Sequence, residues 1–208
     1  MGRAVGWHNG RVSVTEVGPR SARAERTRVA IADALLSLID EGDLQPTATR
    51  IAERAGISLR LIYHHFGDLE ALFQEAAQRE TVRLISRVHL VSTDLPFPER
   101  LDDFVEQRCS LLEWMTPVCR AAALHAPFSA TLQAARTNAT AAGDHEVKRV
   151  FAAEIAELPA DRRRPTVDAL CMATSWNAWD ELRMRPRSVA DCREAIRTTV
   201  RVLLGRID

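Results

Sequence analysis

The 208-residue chain has one lysine, Lys148, one tyrosine, Tyr63, and no net charge, its 28 Lys+Arg offsetting 28 Asp+Glu. A zero total neither demands nor excludes a polyanionic partner, so the placement of the cations has to decide. Nearly all of them are arginine, which can fork onto a carboxylate, a phosphate or a guanine edge as lysine cannot. The codon bias of a GC-rich genome is the simplest source of that preference. Cysteines are few and scattered, at Cys109, Cys119, Cys171 and Cys192, with no C-x-x-C pair. This spacing argues against a zinc knuckle or a thioredoxin-like site and points to buried free thiols in a reducing cytosol. No metal and no cofactor is expected. There is no apolar run long enough to span a bilayer, and the opening residues lack the apolar core of a signal peptide. A cytoplasmic protein without membrane contact is therefore expected. The hydrophobic share, 46%, suffices for a core without staples.

Catalytic signatures are also missing. The sequence has no G-x-S-x-G, no Walker loop, no Rossmann glycines and no H-E-x-x-H. His64-His65-Phe66-Gly67-Asp68 is one residue short of the H-H-x-x-x-D of some acyltransferases, and Asp144-His145-Glu146 would diverge around a helix. An enzyme is not expected.

The chain that remains is patterned for helices almost throughout, and the expected fold class is all-α. Residues 1–22 are rich in Gly, Ser, Arg and Val without helical period, and suggest a disordered basic arm carrying Arg3, Arg11 and Arg20. Val29, Ala32, Leu36 and Ile39 recur at helical spacing, with Gly42 as a stop. Thr47 caps a short helix ending at Gly56, Ser58 caps another ending near Gly67, and Asp68 caps a long one with the stripe Leu69, Leu72, Phe73, Ala76, Leu84 and Val88. Further helices are predicted over 99–115, 129–157, 165–184 and from Ser188 to Ile207, divided by Pro96, Pro98, Pro117, Pro127, Pro159 and Pro186, with Gly143 a candidate kink. Ser188 and Asp191 read as a capping box.

Function concentrates between Thr47 and Phe66. Ile51, Ala52 and Ala55 form an inner face whose small side chains allow a second helix to cross closely. Gly56 supplies a left-handed turn, and Leu61, Ile62 and Phe66 pack inward. Arg60, Tyr63 and His64, at i, i+3 and i+4, then share the opposite face. A cation, a phenol and an imidazole side by side suit a major groove: arginine forks onto guanine, and the other two hydrogen-bond phosphates.

The string Ile51-Ala52-x-x-Ala55-Gly56-Ile57-Ser58, followed by Ile62-Tyr63-x-His65-Phe66-x-Asp68-x-Glu70-x-Leu72, resembles the N-terminal domain of TetR-family transcriptional regulators. The resemblance covers about 45 residues from Thr27 onward. It implies a three-helix helix-turn-helix domain, residues 23–68, joined to a larger helical effector-binding and dimerisation domain, residues 69–208. By that resemblance Thr47, Thr49, Arg50, Ser58, Leu59, Arg60, Tyr63 and His64 are the DNA-contacting candidates. Thr47 caps the first reader helix, Tyr63 takes the place of a phosphate-binding tyrosine, and Leu59 meets a thymine methyl. His65 falls at a structural position. Leu69 departs from the pattern, since family members commonly have a phosphate-binding lysine there.

One recognition helix per chain calls for a homodimer on a palindromic double-stranded operator, with half-sites roughly 34 Å or a multiple apart. The helix over 165–184 is apolar on two sides, which suggests burial on two sides. Trp179, Ile196, Val200 and Leu203 are the interface candidates, and Trp114, Met115, Cys119, His125, Phe128 and Trp176 the candidate lining of a pocket for an apolar small-molecule effector. The expected function is a transcriptional repressor released from its operator by that effector. A ligand-binding or interaction protein with a degenerate reader is the alternative.

Overall fold

The computed structural model describes the backbone of residues 3–8, 11–16 and 19–206 and the side chains of residues 21–206. Ten α-helices and one 3-10 turn make up the described chain after an N-terminal hairpin. The expected helical class is the one observed. In the hairpin, β1 (Arg3–His8) pairs antiparallel with β2 (Arg11–Glu16), Val5 opposite Val14. An arm without regular structure was the expectation for this stretch. The side chains of Arg3, Arg11 and Arg20, and residue Ile207, lie outside the described residues.

The chain divides into two compact units, Met1–Arg79 and Glu80–Asp208. In the first, α1 (Pro19–Asp40) packs on α2 (Ala48–Ala55) and α3 (Leu59–Phe66). Ile31, Ala32, Ala34, Leu35, Leu36, Leu38 and Ile39 are all buried, so α1 is enclosed on more sides than the stripe from Val29 to Ile39 suggests. α4 (Leu69–Ile85) starts right after α3. The unit boundary falls inside α4, after Arg79, because its first turns are tied to α1. Arg28 bonds Glu75 at 3.0 Å, and Arg79 bonds Asp33 at 2.6 and 2.8 Å.

The second unit is built on α5 (Phe97–His125), 29 residues long. Pro117 lies inside it and does not end it. A proline removes one N–H and hinders one carbonyl, and a helix packed on both sides of that point can continue through it. A 3-10 turn (Ala126–Phe128) leads to α6 (Ala130–Val150), capped by the Ser129 hydroxyl, which accepts from Leu132 N at 3.1 Å. The single helix expected over 129–157 is interrupted at Phe151, after which α7 (Ala152–Glu157) begins. The helix expected over 165–184 is likewise two. α8 (Ala160–Ala173) starts five residues before Pro165, and Ser175 caps α9 (Trp176–Arg183) by accepting from Ala178 N. α10 (Val189–Leu203) opens with the expected Ser188–Asp191 capping box.

The core of the second unit holds Leu101, Phe104, Val105, Cys109, Phe151, Leu170, Trp179, Cys192, Ile196 and Val200. Phe104 meets Phe151 edge to face at 5.0 Å. The Trp179 indole N–H donates to Glu113 at 3.1 Å, and Arg183 binds the same carboxylate. A buried ion pair joins Arg100 to Glu154. All four cysteines are free, and burial pushes the Cys109 and Cys119 thiols up to about 12, which keeps them protonated and unreactive. No helix among the described residues is long and apolar enough to cross a membrane. Truncating the enclosed ring by Phe104→Ala is expected to cost about 3–5 kcal/mol of unfolding free energy. Urea titration followed by circular dichroism measures it.

Candidate nucleic-acid interface

α2 and α3 form a helix-turn-helix whose ends are closed by their own residues. Thr47 has extended backbone, φ −71° and ψ 154°, and its side-chain oxygen accepts from Arg50 N at 3.3 Å. Gly56 adopts φ 67° and ψ 32°, the left-handed region that favours glycine. The Ile57 amide reaches back to the Ala52 carbonyl at 3.0 Å, a bond that terminates α2 cleanly. The turn to α3 then follows without a wasted residue. Ser58 stands at the N-cap of α3 in extended conformation but makes no side-chain capping bond, so its hydroxyl is available to another acceptor.

α3 sorts its side chains by face. Ile62 and Phe66 are buried. Leu59, Arg60, Tyr63 and His64 are exposed, Tyr63 by 47% and Leu59 by 40%. The structure therefore brings together four of the expected contact residues on one outward surface at the start and middle of α3. Thr47 and Thr49 are exposed at the start of α2. Arg50 is half exposed but already paired with Asp43 at 2.7 Å. It reaches a phosphate only by exchanging one anion for another. Arg54 is more firmly held, by two bonds to Glu41 at 2.7 and 2.6 Å and one to Ser37 at 2.8 Å. The Arg54 hydrogen bond holds the Glu41 carboxyl below its usual range. Arg54 is thus a strut between α1 and α2. Leu69 is exposed just past the Asp68 cap, whose carboxylate accepts from Ala71 N at 2.9 Å.

One residue that sequence reasoning passed over sets the pose of α3. Arg28 on α1 donates from Nη1 to the His65 carbonyl at 2.7 Å and from Nη2 to Glu75 at 3.0 Å, while its guanidinium carbon lies 4.4 Å from the Phe66 ring centroid. The last carbonyls of a helix have no intrahelical partner and carry the negative end of its dipole. A cation there satisfies a bond and a charge together. Helical spacing offers no sign of it, because its partners are 37 and 47 residues away. Burial lowers the pKa of His65, and the neighbouring His64 and Arg28 charges lower it further. His65 is therefore a neutral, half-buried part of the scaffold, and His64 beside it, 5.6 Å between ring centroids, faces outward.

The expected effector and interface residues fare less evenly. Met115, Cys119 and Trp176 line a cavity of about 470 Å³ in the second unit. Trp114 does not; Arg87 stacks on it at 4.5 Å and Arg83 at 5.3 Å. His125 and Phe128 are not on that wall either, and Phe128 is 90% exposed. Leu84, Leu111 and Leu112, which sequence reasoning did not single out, are on it. Trp179, Ile196 and Val200 are buried in the core of their own subunit and Leu203 packs against that core. Trp179, Ile196 and Val200, sealed inside one chain, have almost no surface to give to a partner, whereas Leu203 remains partly exposed.

Residues 31–76 match the family described as bacterial regulatory proteins, tetR family. No curated protein matches the chain in sequence. Among solved structures, a tetR-family transcriptional regulator from Streptomyces coelicolor superposes with a TM-score of 0.68 at 20% identity, over 88% of this chain and 82% of that one. A transcriptional regulator from Rhodococcus sp. Rha1 superposes with a TM-score of 0.59 at 18% identity, over 88% of this chain and 95% of that one. At such identities the likeness is one of fold.

Two outcomes follow from this geometry. Arg28→Ala lowers unfolding free energy by about 1–2 kcal/mol, the worth of one or two charge-assisted bonds, and Arg28→Lys restores it only in part, because an ammonium lacks the planar fork that spans both partners while lying over Phe66; chemical denaturation checks both. Because the folded His65 holds its proton less tightly than the unfolded one, the stability linked to it is complete above pH 6.5 and is lost as the pH falls through the lowered value. The melting temperature should therefore decline on acidification below that point, and His65→Gln should flatten that part of the curve. The capped α2, the Gly56 turn and the exposed face of α3 together are a helix-turn-helix DNA reader, and this N-terminal domain is that of the tetR family of bacterial regulatory proteins.

Proposed function

We propose that the chain is a sequence-specific, DNA-binding transcriptional regulator that acts as a homodimeric repressor and leaves its operator when a small molecule fills the cavity of the second unit. The observation that carries the first part is the exposed row Leu59, Arg60, Tyr63 and His64 on a helix whose other face is buried. Arg60 forks onto a guanine edge, Leu59 meets a thymine methyl, and Tyr63 and His64, with Thr47, Thr49 and Ser58, hold phosphates. With leucine at position 69, the phosphate contact expected there falls to other groups, and affinity rests on Arg60 and Tyr63, with Arg50 contributing once Asp43 releases it.

Each chain has one reader, so a specific operator is bound by two chains. Met172 on α8 and Val202 on α10 are apolar and exposed, and they support an interface on the outer side of those helices. The cavity supports the effector part. Leu84, in the last turn of α4, is on its wall, and α4 begins directly after the reader. A ligand that moves Leu84 has a continuous helix through which to change the spacing of two readers. The protein performs no reaction in this account and works in the cytoplasm, where its DNA is.

Titration of labelled duplex from upstream of its own coding region tests the reader. Arg60→Ala and Tyr63→Ala are each expected to weaken binding by about 1–3 kcal/mol, roughly five- to hundredfold, and Tyr63→Ala also to reduce the salt dependence. Unchanged affinity in both variants contradicts the assignment of this face.

A further inference from the structure

The cavity of the second unit is not simply greasy. Its apolar wall is made by Leu111, Leu112 and Met115 from α5, Leu84 from α4 and Trp176 from α9. The Trp176 indole N–H is turned aside to the Thr116 hydroxyl at 3.3 Å, which leaves the ring as wall. Across from α5 runs α6, with Arg136, Ala139, Thr140 and Gly143 facing the same space. Three guanidiniums line it, those of Arg108, Arg136 and Arg149, against two carboxylates, those of Asp144 and Glu146.

These charges are not equally occupied. Arg108 is nearly buried and donates to Glu146 at 3.1 Å and to the Gly143 carbonyl at 3.0 Å. It lies so close to α6 that a Cβ on Gly143 would stand 2.7 Å from its Nη1, so a larger residue there would have to displace this guanidinium. Glu146 is further held by Gln107 at 3.2 Å. Arg149 donates from Nη1 to the Val91 carbonyl at 2.9 Å, while its buried Nη2 has no partner among the described residues. Asp144 lies beside the Cys171 thiol and, after burial, helps to push its pKa up to about 11. His89, also on the wall, is bound to Asp103 at 2.8 Å. Arg136 is the least held of the three guanidiniums. It is partly buried and has neither an ion pair nor a hydrogen bond among the described residues, and its charge is felt by Cys119 on the facing helix. Arg136 and Arg149 are thirteen residues apart on one helix, about 20 Å along its axis, so a single head group cannot use both. The head group belongs at the Arg136 end, next to Met115 and Cys119, which lie one turn apart on α5.

We infer that the cavity takes an amphipathic organic acid, its carboxylate on Arg136 and its apolar body along Leu111, Leu112, Met115 and Trp176. A half-desolvated guanidinium without an anion is costly, and a carboxylate supplies two acceptors in the geometry its fork matches. The volume, about 470 Å³, is that of a pocket for one small organic molecule. This inference rests on the effector reading above and narrows it from an apolar ligand to an acid with an apolar body.

Calorimetric titration of the full chain with decanoate and 2-naphthoate, each against its neutral counterpart, decanol or 2-naphthol, tests it. At least one acid is expected to bind roughly tenfold or more tightly than its alcohol, the worth of one charge-assisted contact. Arg136→Gln is expected to remove that preference and leave alcohol binding unchanged. Ala139→Trp, which fills the cavity from an exposed position on α6, is expected to abolish both. Equal affinity for acid and alcohol, a preference that survives Arg136→Gln, binding that survives Ala139→Trp, or no binding of either acid overturns the inference. Adding the binding acid to the protein–DNA complex separates the two readings. Acid binding through Arg136 that leaves the operator complex intact keeps the pocket chemistry and sinks the effector role.

Discussion

The recognition helix is eight residues long and could not hold its shape or direction alone. Its pose depends on the way α1 grips its C-terminal end. Arg28 closes the His65 carbonyl, lies over the Phe66 ring and ends on Glu75 of α4, so one side chain ties three helices at one point. Ile62 and Phe66 then fill the space below, and the faces of α3 are fixed. Arg60 and Tyr63 point outward because the other face has no freedom to turn. The strut from Arg54 to Glu41 and Ser37 does the same for α2. In this unit the arginines divide into those spent on architecture, Arg28, Arg54 and Arg79, and those left to the surface.

The same division of labour recurs in the second unit. Arg100 and Arg108 are enclosed with Glu154 and Glu146, and removing one partner of such a pair leaves an uncompensated charge. Arg136 is enclosed in part and has no such partner among the described residues, which is the ground for the proposal that an acid fills the cavity it lines. Gly143 is explained in the same terms. It is a passage for the Arg108 guanidinium, and α6 runs through it unbroken. An otherwise arginine-rich composition thus becomes informative only when each guanidinium is followed to its partner.

Much of the reader was legible in the residues because its signals are local. Thr47 caps within three residues, Gly56 turns the chain where it stands, and the apolar spacing of Ile62 and Phe66 defines the face opposite Arg60 and Tyr63. The second unit was legible in class and less so in detail. Pro117 reads as a stop, yet packing along α5 carries the helix past it. The break at Thr174–Ser175 is signalled only by a serine that could have been mid-helix, and one expected helix became α8 and α9. A helix apolar on two sides can be central to its own core or shared with another chain, and periodicity does not separate these. Trp179, Ile196 and Val200 turned out to be the former. Arg28 escaped notice for the opposite reason, since nothing local marks a side chain whose partners are brought to it by the fold.

In the proposed function, the outward face of α3 reads a base sequence as one half of a symmetric pair. In vitro selection of the full chain from a random duplex library, at near-physiological salt, tests it most directly. The expected result is enrichment of an inverted repeat whose half-site centres lie about 34 Å, or a multiple of that, apart. Recovery of no preferred sequence, or of a motif equally enriched by a variant carrying Arg60→Ala and Tyr63→Ala, would contradict it.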